Sequence, residues 1–126
     1  MLLLDSLGEL AALYRLADVT FVGGSLMPSG GHNPLEPAAF GIAPMFGPSM
    51  ENFRDIAAEF LRAGAAVQVG SGATLGAACI AVLENDQRRV EMGDAARAVV
   101  EKHRGATAAT IEQLAEFLKM PQAVRR

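Results

Sequence analysis

The stretch from Val22 to Pro48 constrains this chain more than any other. It holds six of the thirteen glycines and five of the six prolines. It runs through Gly23-Gly24-Ser25 and Gly30-Gly31-His32-Asn33-Pro34-Leu35-Glu36-Pro37, and closes with Pro44-Met45-Phe46-Gly47-Pro48. Glycine supplies positive φ and close backbone approach, and proline fixes φ and removes a donor. A chain that gathers both in one place is shaping a surface there.

The flanks place that surface in a fold. Val19 to Val22 is β-branched and aromatic, ends at Gly23-Gly24, and reads as a strand; being apolar almost throughout, it is expected to be buried on both faces, as parallel strands are. Leu2 to Leu4 reads as an earlier strand, and Gly8 to Ala17 as a helix with Leu10, Leu13, Tyr14 and Ala17 on one face and Asp5 or Ser6 at its cap. Asn33 to Phe40 is a short helix candidate that starts at Pro34 or at Pro37, since Pro37 disfavours helical geometry at Glu36. Pro44 to Phe46 reads as a further strand.

Glu51 to Arg62 carries Phe53, Ile56, Ala57, Phe60 and Leu61 at helical spacing, with Ser49 as its cap and Gly64 as its stop. Ala65 to Val69 reads as a strand. A helix then carries Leu75, Ala78, Cys79, Val82 and Leu83. The helix from Asp86 to His103 points Met92, Ala96, Val99, Val100 and His103 inward, and its terminal His103 favours the helix dipole. Gly105 is expected to break it, and a last helix from Thr107 to Lys119 to turn Ile111, Leu114, Ala115 and Leu118 inward. Strands alternating with helices predict an α/β fold, a Rossmann-like parallel sheet flanked by helices. In such sheets ligands sit at the carboxyl ends of strands, and the Val19–Val22 strand delivers its carboxyl end into the glycine-rich loop.

Composition narrows the function. At 126 residues and 51% apolar, one domain with an aliphatic core is the natural size. A net charge of −3 argues against a nucleic-acid footprint. Cys79 is the single cysteine, so no intrachain disulfide can form, and it reads as a small buried hydrophobe. No apolar run approaches the ~18–20 residues that span a bilayer, and the first residues lack a basic leader, so a soluble chain is expected. Two distant histidines and one cysteine do not build a zinc site, and no base stands beside a credible nucleophile.

Within the loop, two glycine pairs precede a helix start. Exposed amides and the helix dipole there would hold an anion, with Ser25, Gly30, Gly31 and His32 as candidates; the competing reading is a tight structural turn. Neither a dinucleotide fingerprint nor a Walker loop is present. Asn33 and Glu36 stand at the spacing of a capping box, Asn33 accepting from the Glu36 amide and Glu36 reaching back. Alternatively, Glu36 is free to accept the two vicinal hydroxyls of a ribose. Glu9 is either an early-turn helix acid or a ligand.

The strings Phe21-Val22-Gly23-Gly24-Ser25-Leu26, Gly30-Gly31-His32-Asn33-Pro34-Leu35-Glu36-Pro37-Ala38-Ala39, Phe46-Gly47-Pro48 and Asn52-Phe53 resemble the 3-deoxy-D-manno-octulosonic acid (Kdo) transferases of lipopolysaccharide synthesis. Asp5-Ser6-Leu7-Gly8-Glu9-Leu10 is similar to that family's Asp-Thr-Met-Gly-Glu-Leu, and Arg104-Gly105-Ala106 to its late Arg-Gly-Ala. The resemblance implies the C-terminal part of a glycosyltransferase B fold. It implies that residues 1–120 form part of the domain that binds the sugar nucleotide, with a frayed tail at 121–126. Leu7, Gly8, Glu9, Asn33, Pro34, Leu35 and Glu36 would then contact the CMP of CMP-Kdo, with Glu36 on the ribose.

CMP-Kdo is a substrate, and no cofactor or metal is implied. Kdo would pass to a lipid A precursor at the cytoplasmic face of the bacterial inner membrane. The domain carrying the catalytic base, the acceptor surface and the membrane contact is expected outside this chain, which then holds no catalytic residue of its own. Ser6 and Leu7 depart from the family's Thr and Met, and Ala43-Pro44 from its Pro-Val. A non-catalytic nucleotide-binding module and a UDP-sugar transferase remain alternative readings, the latter because Glu36-Pro37-x-Ala39-x-Gly41 is similar to a wider pattern of that fold. Self-association is expected through an exposed Leu2–Leu4 edge or the face that would meet the absent domain.

Overall fold

The computed structural model describes residues 9–119. The expected Leu2–Leu4 strand, the Asp5 or Ser6 cap, the candidates Leu7 and Gly8 and the tail 121–126 lie outside the described residues. The elements in order are α1 (Leu10–Leu13), β1 (Thr20–Phe21), α2 (Leu35–Ala38), β2 (Pro44–Phe46), α3 (Arg54–Arg62), β3 (Val67–Gln68), α4 (Gly72–Leu83) and α5 (Asp86–Lys119). The strands pair in sequence order, β1-β2-β3, and both pairings are parallel. The parallel α/β architecture expected from the sequence is therefore present.

The central strand organises the packing. Successive side chains of a strand point to opposite faces. Met45 accordingly packs with Val82 and Met92, against α4 and the start of α5, while Phe46 packs with Val22, Met50 and Ala57 toward α3. A further cluster of Ala38, Phe60, Ala65, Ala96, Val99 and Val100 joins α2 and α3 to α5. Phe46 and Phe60 are fully buried. Cys79 is half-buried beside this core, its Sγ 3.7 Å from Met45 Sδ.

Several expectations change. β1 is shorter than Val19–Val22 and is not buried on both faces: Phe21 is exposed, because β1 is the edge of the described sheet. The first helix makes one α-turn and then tightens into a 3₁₀ turn over Tyr14–Leu16. α2 starts at Leu35, after Pro34, and takes Pro37 inside its single turn, where no intrahelical donor is yet required. Ser49 does not cap the next helix. Its hydroxyl donates to Glu51 Oε2 instead, and a 3₁₀ turn over Glu51–Phe53 leads into α3. Leu61, at the border of the predicted stripe, is exposed. α4 opens with a Ser71–Thr74 capping box that the sequence pattern did not single out.

The largest change concerns α5. It runs unbroken through Gly105, so His103 lies inside the helix rather than at its end. A single interior glycine costs about 1 kcal/mol against alanine, and Ala106, Ala108 and Ala109 follow it with no proline until Pro121. The continuation carries Ile111, Leu114 and Leu118 into solvent, at 59%, 55% and 63% exposure, rather than inward. Upstream, Met92, Ala96, Val99 and Val100 are buried as the spacing predicts.

Candidate functional site

The glycine-rich loop begins where β1 ends, and its first half is a hydrogen-bonded weave. Ser25 is fully buried. Its hydroxyl donates to the Val22 carbonyl at 2.6 Å and accepts from the Gly47 amide at 2.8 Å, and its carbonyl accepts from the Ser49 amide at 2.9 Å. This one residue stitches the loop after β1 to the loop after β2. A Cβ on Gly47 would collide with the Ser25 carbonyl, so the approach requires glycine.

The glycine pairs serve the same end. Gly24, Gly30 and Gly31 have φ of 69°, 81° and 72°, the left-handed region that favours glycine. These angles fold the loop on itself, so that the Gly31 amide donates to Gly24 O at 3.1 Å and the His32 amide to Gly23 O at 3.0 Å. The Gly30 amide donates to Ser49 Oγ at 3.1 Å. The amides expected to cradle an anion at Gly30, Gly31 and His32 are thus already engaged. With α2 only four residues long, its summed dipole is small as well. This half of the loop takes the structural reading.

The second half faces outward. A cleft of about 780 Å³ lies over the end of β1, lined among others by Tyr14, Phe21, Gly23, His32, Asn33, Glu36, Asn52 and Phe53. The His32 ring lies over Gly23, its Cδ2 3.2 Å from where a Cβ would stand. Asn52 is held across the cleft floor, its amide donating to Gly30 O at 3.0 Å and its Nδ2 to Gly31 O at 3.4 Å.

Asn33 and Glu36 do not form the capping box. Asn33 Oδ1 accepts from the Leu35 amide at 3.0 Å, a turn two residues on, and Pro34 in the cap position has no side chain to offer. The Glu36 carboxylate is exposed, and no described residue hydrogen-bonds it. It raises the Tyr14 phenol above its ordinary 10.0, second to burial of the ring. Pro34 is buried and Leu35 half-buried behind it. Ser25, Gly30 and Glu9 do not line the cleft; Glu9 is exposed at the head of α1, where its carbonyl accepts the Ala12 and Leu13 amides.

A second groove of about 620 Å³ runs between α1, α2 and α5, lined among others by Tyr14, Asn33, Leu35, Glu36, Phe40, His103, Arg104 and Thr107. It shares Tyr14, Asn33 and Glu36 with the first, so Glu36 stands on the divide. Tyr14 and Phe40 pack as tilted rings with centroids 5.9 Å apart. His103 is held from behind by Glu59, Nε2 to Oε2 at 2.7 Å, and Lys102 reaches the other oxygen at 2.6 Å. These hydrogen bonds from Lys102 and His103 pull the Glu59 carboxyl below its usual 4.5. Among the described residues no three side chains gather as a metal site.

Sequence reasoning missed Tyr14, Phe21 and the α5 residues as groove-lining groups. Tyr14 carried only a helical-stripe signal. The α5 residues reach the site from about seventy positions away, a contact no local pattern encodes, although Arg104 was part of the family resemblance. Asn52 and Phe53 had a signal, since that pair was part of the family resemblance.

Fold and clefts together define a parallel α/β unit that presents a ligand cleft at the carboxyl end of a strand, the arrangement of nucleotide-binding sheets. No protein-family model matches the chain. Individual relatives do. The chain is 39% identical over 118 residues to the 3-deoxy-D-manno-octulosonic acid transferase of Bordetella pertussis, covering 94% of this chain and 28% of that protein. It is 37% identical over 116 residues to the transferase of the same name from Haemophilus influenzae, covering 91% of this chain and 27% of that protein.

Among solved structures it matches the C-terminal CMP-Kdo binding domain of WaaA from Acinetobacter baumannii, with a TM-score of 0.73 and 35% identity over 77% of this chain and 51% of that one. The chain is therefore a relative of the Kdo transferases along nearly its whole length, and its fold is that of their C-terminal domain. It spans just over a quarter of the length of the two relatives compared. No described helix is long and apolar enough to cross a membrane.

Proposed function

We propose that this chain is the donor-binding part of an inverting glycosyltransferase, with CMP-Kdo as its ligand and Glu36 as the grip on the ribose hydroxyls. The observation that carries the reading is the state of Glu36. An exposed carboxylate between two grooves, with no described hydrogen-bonding partner, offers two oxygens to a vicinal diol. The kinship to Kdo transferases supplies the nucleotide, and Asn33, Pro34 and Leu35 shape the turn that presents Glu36. Phosphate and sugar then lie toward Gly23, Gly31 and His32. In this reading Leu7, Gly8 and Glu9, which lead into the cleft-lining Leu10, add nucleotide contacts from beyond the described cleft walls, and Ser25 and Gly30 support the loop from within.

The parent enzyme, in this reading, transfers Kdo to a lipid A precursor at the cytoplasmic face of the inner membrane, without cofactor or metal. Residues 1–120 supply part of its nucleotide domain. Among the described residues Glu36 is the single carboxylate lining either groove, and in this reading the ribose takes it. Among the described residues no other acidic group lines them to deprotonate an acceptor hydroxyl. The 126-residue chain is expected to bind donor without turnover, and transfer of Kdo to lipid A precursor by this chain alone would refute that.

Calorimetric titration tests the donor assignment. CMP should bind more tightly than UDP, and Glu36→Ala should weaken CMP at least tenfold, the cost of about two hydrogen bonds to a charged acceptor. Equal affinity for CMP and UDP, untouched by Glu36→Ala, would reject the ribose role.

A further inference from the structure

α5 is longer than the body it packs on. Val99 and Val100 sit in the core with Ala38 and Phe60, but from Arg104 to Leu118 every position is exposed. The apolar line nevertheless continues. Val100, Arg104, Thr107, Ile111, Leu114 and Leu118 follow at alternating steps of four and three, the a/d spacing of a helix-pairing seam. The first four line the second groove, so the seam leaves the body on that side. Ile111 is 59% and Leu114 55% exposed, and Phe117 borders them at 42%. Glu112, Glu116 and Lys119 fall on the far side by helical spacing. A solitary helix of this length is marginal in water, where about 12–15 residues is the lower limit even for alanine-rich chains. This one opens on Gly105, and its Thr107 and Thr110 hydroxyls donate back to the His103 and Ala106 carbonyls at 3.0 and 2.9 Å, bonds that slightly weaken a helix. The projecting segment therefore calls for a partner, and an a/d seam is met by another helix.

We propose that this partner is the same segment of a second copy of the chain, the two α5 ends packing antiparallel about a two-fold axis. The seam is self-complementary. With the axis between Ile111 and Leu114, Ile111 of each copy meets Leu114 of the other, and Thr107 meets Leu118. The flanking positions Ala108, Thr110, Ala115 and Phe117 carry no charge, so no like charges face each other. Arg104 limits the overlap. Its guanidinium is paired with Glu101 at 3.1 Å, and a deeper overlap would bury that charge against leucine. A shallower one would leave Ile111 in water. The helices thus overlap over 107–118, about 18 Å of helix, with the two folded bodies held at opposite ends. Ile111, Leu114, Phe117 and Leu118 of both copies become covered. That contact falls below the about 800 Å² per partner of a standard interface, so the dimer is weak, with a dissociation constant in the micromolar range or above. It is a separate surface from the β1 edge of the sheet.

Sedimentation equilibrium of the 126-residue chain, from micromolar to near-millimolar concentration, tests this. The mass should rise from 13.2 kDa toward twice that value, and helix content by circular dichroism should rise with it. Two variants bring the same charge to opposite faces of α5. Leu114→Glu, on the seam, should weaken the dimer at least about tenfold, and Gln113→Glu, away from it, should leave it unchanged. Both positions are exposed, so neither change threatens the fold. In a Cys79→Ala background, Thr107→Cys should not cross-link to itself, because antiparallel pairing holds the two introduced thiols about 16 Å apart along the helices.

The mass of a single chain at every concentration, with constant helix content, would overturn the proposal. So would a dimer that Leu114→Glu leaves intact, since the contact would then run through another surface such as the β1 edge. Ready cross-linking through Thr107→Cys would overturn the antiparallel order.

Discussion

Ser25 and Glu36 stand eleven positions apart in the same glycine-rich stretch, and the structure treats them in opposite ways. Ser25 is fully buried, with its hydroxyl donating once and accepting once inside the protein. Glu36 is exposed on the divide between two grooves, with no described hydrogen-bonding partner. A serine after two glycines looks like a loop ligand in sequence, and a glutamate three residues after an asparagine looks like a helix cap. The serine is instead architecture, and the glutamate, which caps nothing, is the group the proposal gives to a ligand. Buried polar groups hydrogen-bonded within the protein build the loop, whereas an exposed carboxylate has no described protein partner to give up before it meets a ligand.

The largest expected effect that separates them is on folding. Ser25→Ala should destabilise the chain by about 1–3 kcal/mol, because the buried Gly47 amide loses its acceptor and the Val22 carbonyl its donor. Chemical denaturation checks this, and the fraction that remains folded should bind CMP with unchanged affinity. A neutral Ser25→Ala would erase the distinction. Glu36→Ala should do the opposite, leaving stability within about 0.5 kcal/mol, as exposed substitutions away from networks do.

A smaller effect concerns α5, which frames the second groove. Gly105 sits in continuous helix, and a Cβ added there would meet no neighbouring atom within 4 Å beyond its own helix backbone. Gly105→Ala should therefore stabilise by about 0.5–1 kcal/mol in thermal unfolding. Destabilisation would mean that the helix bends there in solution.

The smallest effect is a pH dependence. The Glu59 carboxyl is held below its usual 4.5 by hydrogen bonds from Lys102 and His103. A depressed folded-state value means the contribution is present above about 4.5 and fades as pH falls through the lower, folded value. Glu59→Gln should flatten that acid limb of the stability profile. An unchanged limb would show that other groups set it.

How much of this was legible in the sequence follows from where each contact lies. Ile56, Ala57 and Phe60 gave α3, since helical spacing and burial are one signal, but it starts at Arg54 and leaves Phe53 in the 3₁₀ turn before it. Val19–Val22 placed β1, and topology placed a cleft at its end. The state of the amides was not legible. Glycine pairs signal unusual φ but not whether the freed N–H groups turn outward or, as at Gly30 and Gly31, onto their own loop. The Asn33–Glu36 cap failed because Pro34 shifts the turn, so Asn33 bonds the Leu35 amide instead. Gly105 misled because one glycine costs less than the alanines around it return. Thr107 carried no local signal as a groove residue, and Arg104 carried only its place in the Arg104-Gly105-Ala106 resemblance.

The central claim is that the free carboxylate of Glu36, not the woven glycine amides, holds the ligand. The chain offers a direct reporter. Tyr14 is its single tyrosine, there is no tryptophan, and Tyr14 lines both grooves beside Glu36. Titrating CMP while following tyrosine fluorescence reads the site itself. The account predicts a saturable change in the unaltered chain that Glu36→Ala loses and the folded fraction of Ser25→Ala retains. A change that persists in Glu36→Ala would contradict it.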